Sequence, residues 1–520
     1  MNLPREKAYN LGLIVILAVF VLTASLYAIR TPLWQNPDEP AHFNYVRHIW
    51  DEARLPVLQM GDYPHEYLEE IKSRQFPTDM PIDPIRYEFH QPPLYYMVAA
   101  PVYGLAGEIP LSAGVQGLIA AVGAPTKWGW PIGAQALALR FLTIVFGAAF
   151  LWVCFRLIRL IFPMDGMLAL FATGLAATVP MHVALSAAVN NDGLSNLLLV
   201  STVFLMLRAV RSEPEGRSVA WQRWVRAGLV MGLALLTKTS AYVVIPLGIL
   251  IIVAHGWRKS SIRAKMIRSV ALFGPALLLN VPWYIRNALT YGGIDLLGLQ
   301  RHNSIVLNQP TTAEWVARMG WGGLAREFIA TTFRSFWAQF GWMGVLVDTR
   351  IYQALALVCA LMFVGFLLYL LRAAANRHLL TPFQWKALGV LGLWLALTLA
   401  SYLWYNLQFV QHQGRYLFPA LPAIALAMAL GLQETLRPTR ARLLALLCVL
   451  GIAASLVLIL ATGRAFKTLS LLLGVAALGY IVVWRWRPQW ASTWQGAIYL
   501  AFIGLDLICL FRFIVPYFTG

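Results

Sequence analysis

Long apolar runs separated by short, arginine-rich connections constrain this chain more than any other feature. The first run extends from Leu11 to Ile29 without a charged residue, and similar runs recur as far as the C-terminus. The chain is 59% hydrophobic and only 12% charged, whereas about 25% of the residues in an ordinary soluble domain are charged. The pattern predicts an all-α polytopic membrane protein.

The apolar runs predict about 13 transmembrane helices in a single integral-membrane domain that covers residues 1–520. A further run at 94–106 is short for a span and is expected to be interfacial or re-entrant. The expected spans are 11–29, 133–160, 167–187, 193–207, 227–236, 241–254, 269–283, 351–371, 387–405, 417–432, 443–461, 469–484 and 496–516.

The distribution of basic residues predicts the topology. The N-terminus carries Arg5 and Lys7 before the first run, so we expect it to be cytoplasmic. The net charge of +18 is concentrated in alternate short connections, which follows the positive-inside rule. We therefore expect an integral protein of the inner or plasma membrane whose surroundings are membrane lipid, and we expect no nucleic-acid partner.

Two long connections fall on the outer side in this topology. The first, residues 30–132, holds 11 of the 23 acidic residues between positions 30 and 91, and its alternating apolar and charged residues predict interfacial amphipathic helices. The second covers residues 284–350. We expect the first connection to carry the catalytic motif.

The motif Asn36-Pro37-Asp38-Glu39-Pro40-Ala41-His42 follows the first span directly. Asp38 and Glu39 are the candidate catalytic carboxylates, and His42 lies one helical turn after Asp38 if a helix begins near Pro40. The alternative is helix punctuation, with Asp38 or Glu39 as an N-cap and Pro40 in the first turn. Capping and chemistry are compatible.

Other polar groups fall at the outer ends of separate helices, so distant parts of the chain are expected to converge on one face. Asn190, Asn191 and Asp192 are candidates to orient a sugar or to cap the next helix. Trp337 and Trp342 are candidates for stacking on a sugar or for packing against an isoprenoid. The candidate substrate-binding residues are His42, His90, Gln91, Asn191, Asp192, Lys238, Trp337, His412, Arg415 and Tyr416.

This set of side chains suits a reaction on a phosphate-bearing lipid. Arginine and lysine bind phosphate oxygens and stabilise the charge that grows on a leaving phosphate. A carboxylate can take the proton of an attacking hydroxyl.

The motifs resemble those of the GT-C superfamily of integral-membrane glycosyltransferases, and above all its protein O-mannosyltransferase and lipid A aminoarabinose transferase branch, together with related uncharacterised bacterial membrane proteins. The resemblance is carried by Asp38-Glu39, His90-Gln91-Pro92-Pro93-Leu94, Leu236-Thr237-Lys238 and Gly414-Arg415-Tyr416. It implies a polyprenyl-phosphate sugar donor, a hydroxyl acceptor on a protein, lipid or glycan, and inverting displacement. It also implies that Asp38 is the base and that Lys238 and Arg415 bind phosphate.

Several alternatives remain at the level of sequence. A divalent metal held by Asp38, Glu39, His42 and His90 is one, although the spacing does not establish a site and no cofactor is assigned. Asp506, an acid within the last span, is either functional or satisfied by a neighbouring helix. A transporter or flippase of lipid-linked saccharides, a whole-glycan ligase and a silent scaffold are the competing functions.

Overall fold

The structure is a computed structural model that describes residues 3–108, 117, 127–213, 220–255, 261–462, 467–486 and 491–519. The predicted first connection, 30–132, therefore lies partly outside the described residues. The described part is almost entirely helical, so the predicted all-α class is confirmed.

The helices are α1 Leu3–Arg30, α2 Glu39–Glu52, α3 His65–Ser73, α4 Leu94–Glu108, α5 Ile132–Ile161, α6 Gly166–Ala177, α7 Pro180–Ser186, α8 Asp192–Ser212, α9 Trp221–Leu235, α10 Val244–Ala254, α11 Ile262–Tyr291, α12 Leu299–Ile305, α13 Thr312–Trp337, α14 Thr349–Ala375, α15 Pro382–Asn406, α16 Leu421–Thr435, α17 Pro438–Thr462, α18 Lys467–Ile481, α19 Ala491–Ile508 and α20 Val515–Thr519. Short 3₁₀ helices cover Tyr87–His90, Thr239–Val243 and Gly414–Ala420, and π-helices cover Val482–Trp486 and Cys509–Ile514. The strands β1 Gln339–Phe340 and β2 Val345–Leu346 form an antiparallel pair.

Ten helices in the described part of the chain are long and apolar enough to cross a membrane. Helices α6 and α7 would form an eleventh span if their bent pair is counted as one, and the bend of 69° follows from Pro180 at the start of α7. Every predicted span overlaps a helix, but α9 and α10 have only 15 and 11 residues. The predicted count of 13 is therefore not confirmed, because hydropathy locates a helix more reliably than it sets its length.

The predicted second connection, residues 284–350, is mostly helical rather than a loop. Helix α11 continues to Tyr291, and α13 begins with a capping box in which Thr311 and Glu314 bond to each other's backbone N–H groups. Gly320, with φ 69°, kinks α13. This region joins the first connection through the Trp342 indole, whose Nε1 donates to the Trp34 carbonyl at 2.9 Å.

Two hydrophobic clusters organise the fold. The larger one is formed by the long helices, and the smaller one joins α2 and α4 to the first turns of α5 and α8. Helices α14 and α16 cross closely at Gly365 and Gly431, where a Cβ on Gly431 would lie 1.9 Å from the Met362 carbonyl oxygen. Helix α4, with 15 residues, packs on α2 and α5 and holds the start of α2 against the bundle.

Candidate active site

Asp38 directly precedes α2. Asp38 occupies the N-cap position but makes no side-chain cap, and its φ of 66° lies in the left-handed region. Non-glycine residues adopt this conformation at a cost of about 1–3 kcal/mol and do so often at functional sites. Its carboxylate is instead aimed away from the helix, where Oδ1 accepts from the Tyr87 hydroxyl and Oδ2 from Arg415 Nη2, both at 2.7 Å.

Glu39 lies one residue further along and points into the interior. Arg140 on α5 donates through Nε and Nη2 to the two carboxylate oxygens, each at 2.8 Å. The backbone N–H groups of Trp34 and Val189 donate to the same oxygens at 2.9 and 3.1 Å. Arg140 also donates to carbonyl groups at the end of α1. Glu39 therefore fastens α1, α2, α5 and the turn before α8 together.

Sequence reasoning did not single out Arg140, although a signal was present. It lies within α5, which is long and apolar enough to cross a membrane, and an arginine within a membrane span requires a partner. The partner could not be identified from the sequence, since Glu39 is 101 residues away.

A second ion pair lies at the start of α8. Lys238 Nζ donates to Asp192 Oδ1 at 2.8 Å, and both side chains are partly exposed. Asn190 Oδ1 accepts from the Asp192 N–H at 3.0 Å and so bonds the first turn of α8, whereas Asn191, at the N-cap position, makes no side-chain cap. The Asp192–Lys238 pair lies near Asp38. The charges of Arg415 and His42 are close enough to interact with the Asp192 carboxylate.

Buried hydrogen bonds connect the segments that carry the charged cluster of Asp38, Arg415, Asp192 and Lys238. His42 Nδ1 lies 2.8 Å from the Tyr96 hydroxyl, and burial lowers the pKa of His42. Asn191 Nδ2 donates to Tyr96 at 3.4 Å and to the Thr237 carbonyl at 3.3 Å. These contacts connect α2, α4, the start of α8 and the turn that carries Lys238.

The 3₁₀ helix Tyr87–His90 also contacts the charged cluster, through the bond from Tyr87 to Asp38. Glu88 is partly exposed, but its Oε2 is buried with no hydrogen-bond partner in the described part of the protein. The Gln91 side chain bonds the Glu88 carboxyl, whereas the Gln91 Oε1 atom has no partner among the described residues. Burial raises the pKa of Glu88 against the opposing effect of His42 and Lys238. Glu88 lies two residues before the His90-Gln91 motif and is not among the site residues predicted from the sequence.

The electrostatics separate the two neighbouring acids Asp38 and Glu88. Burial alone would raise the pKa of Asp38, but Arg415, His42 and the Tyr87 hydrogen bond together lower it to about 2. Glu88 has no such cation bonded to it, so burial prevails. The two carboxyl groups of one site thus differ in proton affinity.

The structure does not bring every predicted residue to this cluster. Tyr416 stays with it, because the Arg415 guanidinium lies 5.5 Å from the centre of its ring. His90 turns toward His302, with ring centres 4.3 Å apart, and burial lowers its pKa to about 4. His412 packs edge-on against Trp315 and Phe328.

Trp337 is 2% exposed and stacks on Phe502 within the core. The expected stacking of this indole on a sugar has no exposed ring face in this arrangement. The apolar residues on both sides of Trp337 explain its burial.

The metal alternative finds no geometric support in the residues that the structure describes. Within that part of the chain, no three His, Cys, Asp or Glu side chains are grouped so that they could hold an ion. Glu39 is saturated by other donors, and His90 faces His302.

One stretch of the chain matches a known protein family. Residues 130–285 match the family model described as dolichyl-phosphate-mannose-protein mannosyltransferase. This stretch includes Arg140, Asp192 and Lys238 and lies between Asp38 and Arg415. No curated relative matches the sequence significantly.

Among solved structures, the chain is similar to ArnT from Cupriavidus metallidurans bound to undecaprenyl phosphate, with a TM-score of 0.45 and 15% identity over 96% of this chain and 77% of that chain. It is also similar to the oligosaccharyltransferase of Archaeoglobus fulgidus, with a TM-score of 0.46 and 14% identity over 93% of this chain and 55% of that chain. For the protein O-mannosyltransferase complex of S. cerevisiae bound to its sugar donor, the TM-score is 0.35 and the identity 14%, over 53% and 33% of the two chains. The family match, together with the motifs around Asp38, Lys238 and Arg415, confirms the resemblance of this chain to the GT-C superfamily of integral-membrane glycosyltransferases.

Proposed function

We propose that the chain transfers a sugar from a polyprenyl-phosphate donor to a hydroxyl acceptor on the outer face of the membrane. The observation that supports this most is the convergence of Arg415 and Lys238 with Asp38 and Asp192. These residues come from distant parts of the chain and form two partly exposed ion pairs at one end of the helical bundle. Undecaprenyl phosphate, bound by ArnT in the structure above, is the kind of lipid phosphate that the two cations suit.

The cations provide the electrostatic part of the reaction. Arg415 offers a planar set of donors and Lys238 a compact charge, and both stabilise the negative charge that develops on a phosphate leaving group. The acceptor oxygen attacks the anomeric carbon while the bond from that carbon to the phosphate oxygen breaks, and its electron pair stays with the phosphate. One displacement of this kind inverts the anomeric configuration.

The proton of the acceptor passes to a carboxylate of the cluster, for which the sequence resemblance implies Asp38. Asp38 is also the counter-ion of Arg415, at 2.7 Å. An arriving phosphate competes with Asp38 for this guanidinium, so donor binding loosens the pair and makes the carboxylate more basic. Asp38 is therefore needed both if it is the base and if it is only the counter-ion of Arg415.

Glu39 takes a supporting role in this proposal. Its oxygens are occupied by Arg140 and two backbone N–H groups, so it holds the motif in place and does not contact substrate. His42, Gln91 and Asn191 are buried, whereas Asp192 is partly exposed. In this proposal all four surround the sugar. The outer location rests on the basic residues of the opposite connections.

The test is sugar transfer from a panel of radiolabelled polyprenyl-phosphate sugars by the purified full chain in lipid, with crude envelope acceptors present. We expect transfer by the parent and a fall of at least about 10²-fold in a folded Asp38→Asn variant. Asp79→Asn is the matched control, because its carboxylate is exposed and pairs only on the surface with Arg74.

Equal transfer by the parent and Asp38→Asn would remove Asp38 from the reaction. Consumption of no donor by the parent would contradict the proposed function and would favour the transporter or the scaffold. A whole-glycan ligase would use lipid-linked oligosaccharides and leave the monosaccharide donors intact.

A further inference from the structure

Four acidic side chains surround the site, and three of them are bonded to a cationic side chain. Glu39 is bonded to Arg140, Asp192 to Lys238, and Asp38 to both Arg415 and Tyr87. In the part of the chain that the structure describes, Glu88 alone among these acids has a buried carboxylate oxygen with no hydrogen-bond partner.

The backbone around Glu88 is held firmly. Tyr87 donates its hydroxyl to Asp38, and the next residue, Phe89, packs against Tyr45 with ring centres 5.5 Å apart. Glu88 lies between these two contacts on a single 3₁₀ turn. Its carboxyl group is therefore placed beside Asp38 by packing on both sides.

Glu88 faces charged and titratable groups from several elements. His42 on α2 and Lys238 in the turn before Thr239–Val243 favour its ionised form, whereas Asp38 opposes it. The phenol groups of Tyr96 on α4 and Tyr405 on α15 are also within its field. Burial outweighs the cations and raises the pKa of Glu88, while Arg415 keeps that of Asp38 near 2.

A general base needs a free lone pair and a proton affinity suited to the working pH. Both Asp38 oxygens accept hydrogen bonds in this structure, and while Arg415 is paired with it the pKa of Asp38 stays near 2. Glu88 has a buried oxygen without a hydrogen-bond partner among the described residues, and its partly exposed side chain lies close enough to Asp38, His42 and Lys238 to interact with their charges.

We propose that Glu88 is the general base of the transfer, and that Asp38 is the positioning residue that holds Arg415 for the donor phosphate. This inference rests on the proposed function and assigns a catalytic residue that the sequence motifs did not. As the acceptor oxygen bonds to the anomeric carbon, its proton moves to the Glu88 carboxylate and forms the carboxylic acid. The sugar–phosphate bond breaks with its electron pair going to the phosphate, and Glu88 returns the proton to water after the product leaves.

The experiment compares the parent, Glu88→Gln, Glu88→Asp and the surface control Glu70→Gln in lipid, with the same donor panel and acceptors. We expect Glu88→Gln to lower kcat by about 10²–10⁴-fold with little change in the donor KM, because no phosphate contact is removed. We expect Glu88→Asp to retain part of kcat and to move the acid limb of the kcat–pH profile. Thermal unfolding measured on each variant shows whether it is folded.

The inference is overturned if Glu88→Gln keeps the kcat of the parent, or if the acid limb is the same in the parent and in Glu88→Asp. The second comparison decides the question even if Glu88→Gln does not fold. Failure of the proposed function is distinguishable, because then the parent itself transfers no sugar. Transfer by the parent with an unaltered Glu88→Gln profile contradicts only the role of Glu88.

Discussion

Two arginine–carboxylate pairs begin one residue apart on the chain and lie in opposite surroundings. In the Glu39–Arg140 pair both side chains are 0% exposed, and two backbone N–H groups also donate to the Glu39 carboxylate oxygens. In the Asp38–Arg415 pair the carboxylate side chain is 24% exposed and the guanidinium 11%. The first pair, called the closed pair, is fully buried. The second, called the open pair, is partly exposed and lies beside further charged groups.

The difference in burial indicates that the closed pair stabilises the fold and that the open pair belongs to the reactive site. A buried ion pair is tolerated only where hydrogen bonds satisfy the remaining donors and acceptors, and Glu39–Arg140 meets this condition. Asp38–Arg415 can exchange partners because one side faces solvent, and beside it Glu88 keeps an unpaired oxygen in the described structure. Loss of the first pair should therefore unfold the protein, whereas loss of the second should only stop the reaction.

The largest expected effect is on the closed pair. Arg140→Met leaves the Glu39 charge buried without its partner, so we expect the free energy of unfolding to fall by about 3–5 kcal/mol. Thermal unfolding in lipid or detergent measures this. The double variant Glu39→Gln with Arg140→Met should recover part of the loss, and Arg415→Met should unfold close to the parent. Equal unfolding temperatures for Arg140→Met and Arg415→Met would break the comparison.

The next effect concerns the backbone that carries the open pair. A Cβ on Gly414 would lie 2.3 Å from the Thr332 carbonyl oxygen and 2.4 Å from the Phe336 nitrogen. Gly414→Ala must therefore shift the residue that precedes Arg415. A displacement of about 1 Å can cost on the order of 10²-fold in rate, and we expect such a fall in sugar transfer.

The control for this variant is Gly389→Ala on α15, where an added Cβ meets nothing within 4 Å. Its transfer rate should equal that of the parent. Normal transfer by Gly414→Ala would show that the position of Arg415 is not critical, and the open pair would then resemble a surface contact.

The smallest effect is the pH dependence of stability at Glu88. The folded state raises the pKa of Glu88 above the ordinary value of 4.5, so folding favours its protonated form. The parent is then penalised as pH rises through the folded pKa, and the penalty disappears below about 4.5. Glu88→Gln, which stays neutral, should be more stable than the parent at neutral pH by about 1 kcal/mol, the lower end of the cost of an unpaired buried polar group. A stability difference between the two that does not change from pH 4 to pH 8 would contradict the burial of an ionised Glu88.

Much of the architecture could be predicted because hydropathy acts locally. A run such as 11–29 or 351–371 must form a helix in a membrane whatever the rest of the chain does, and the structure has a helix at each of them. Helix length is less local: α9 ends at Leu235, before the turn that carries Lys238, and α10 begins only at Val244, after the 3₁₀ helix Thr239–Val243. The sequence therefore predicts the positions of the spans better than their number.

The sequence by itself determined that the protein is helical and membrane-embedded, and its motifs determined which superfamily it resembles, because periodicity and short motifs are properties of neighbouring residues. Only the tertiary structure decided that Glu39 is closed by Arg140, that Asp38 is paired with Arg415, that Trp337 is buried and that Glu88 keeps a free oxygen. These facts depend on contacts between residues up to 377 positions apart. The proton affinity of a carboxylate is set by burial and by the charges that folding brings beside it, and neither can be read from adjacent letters.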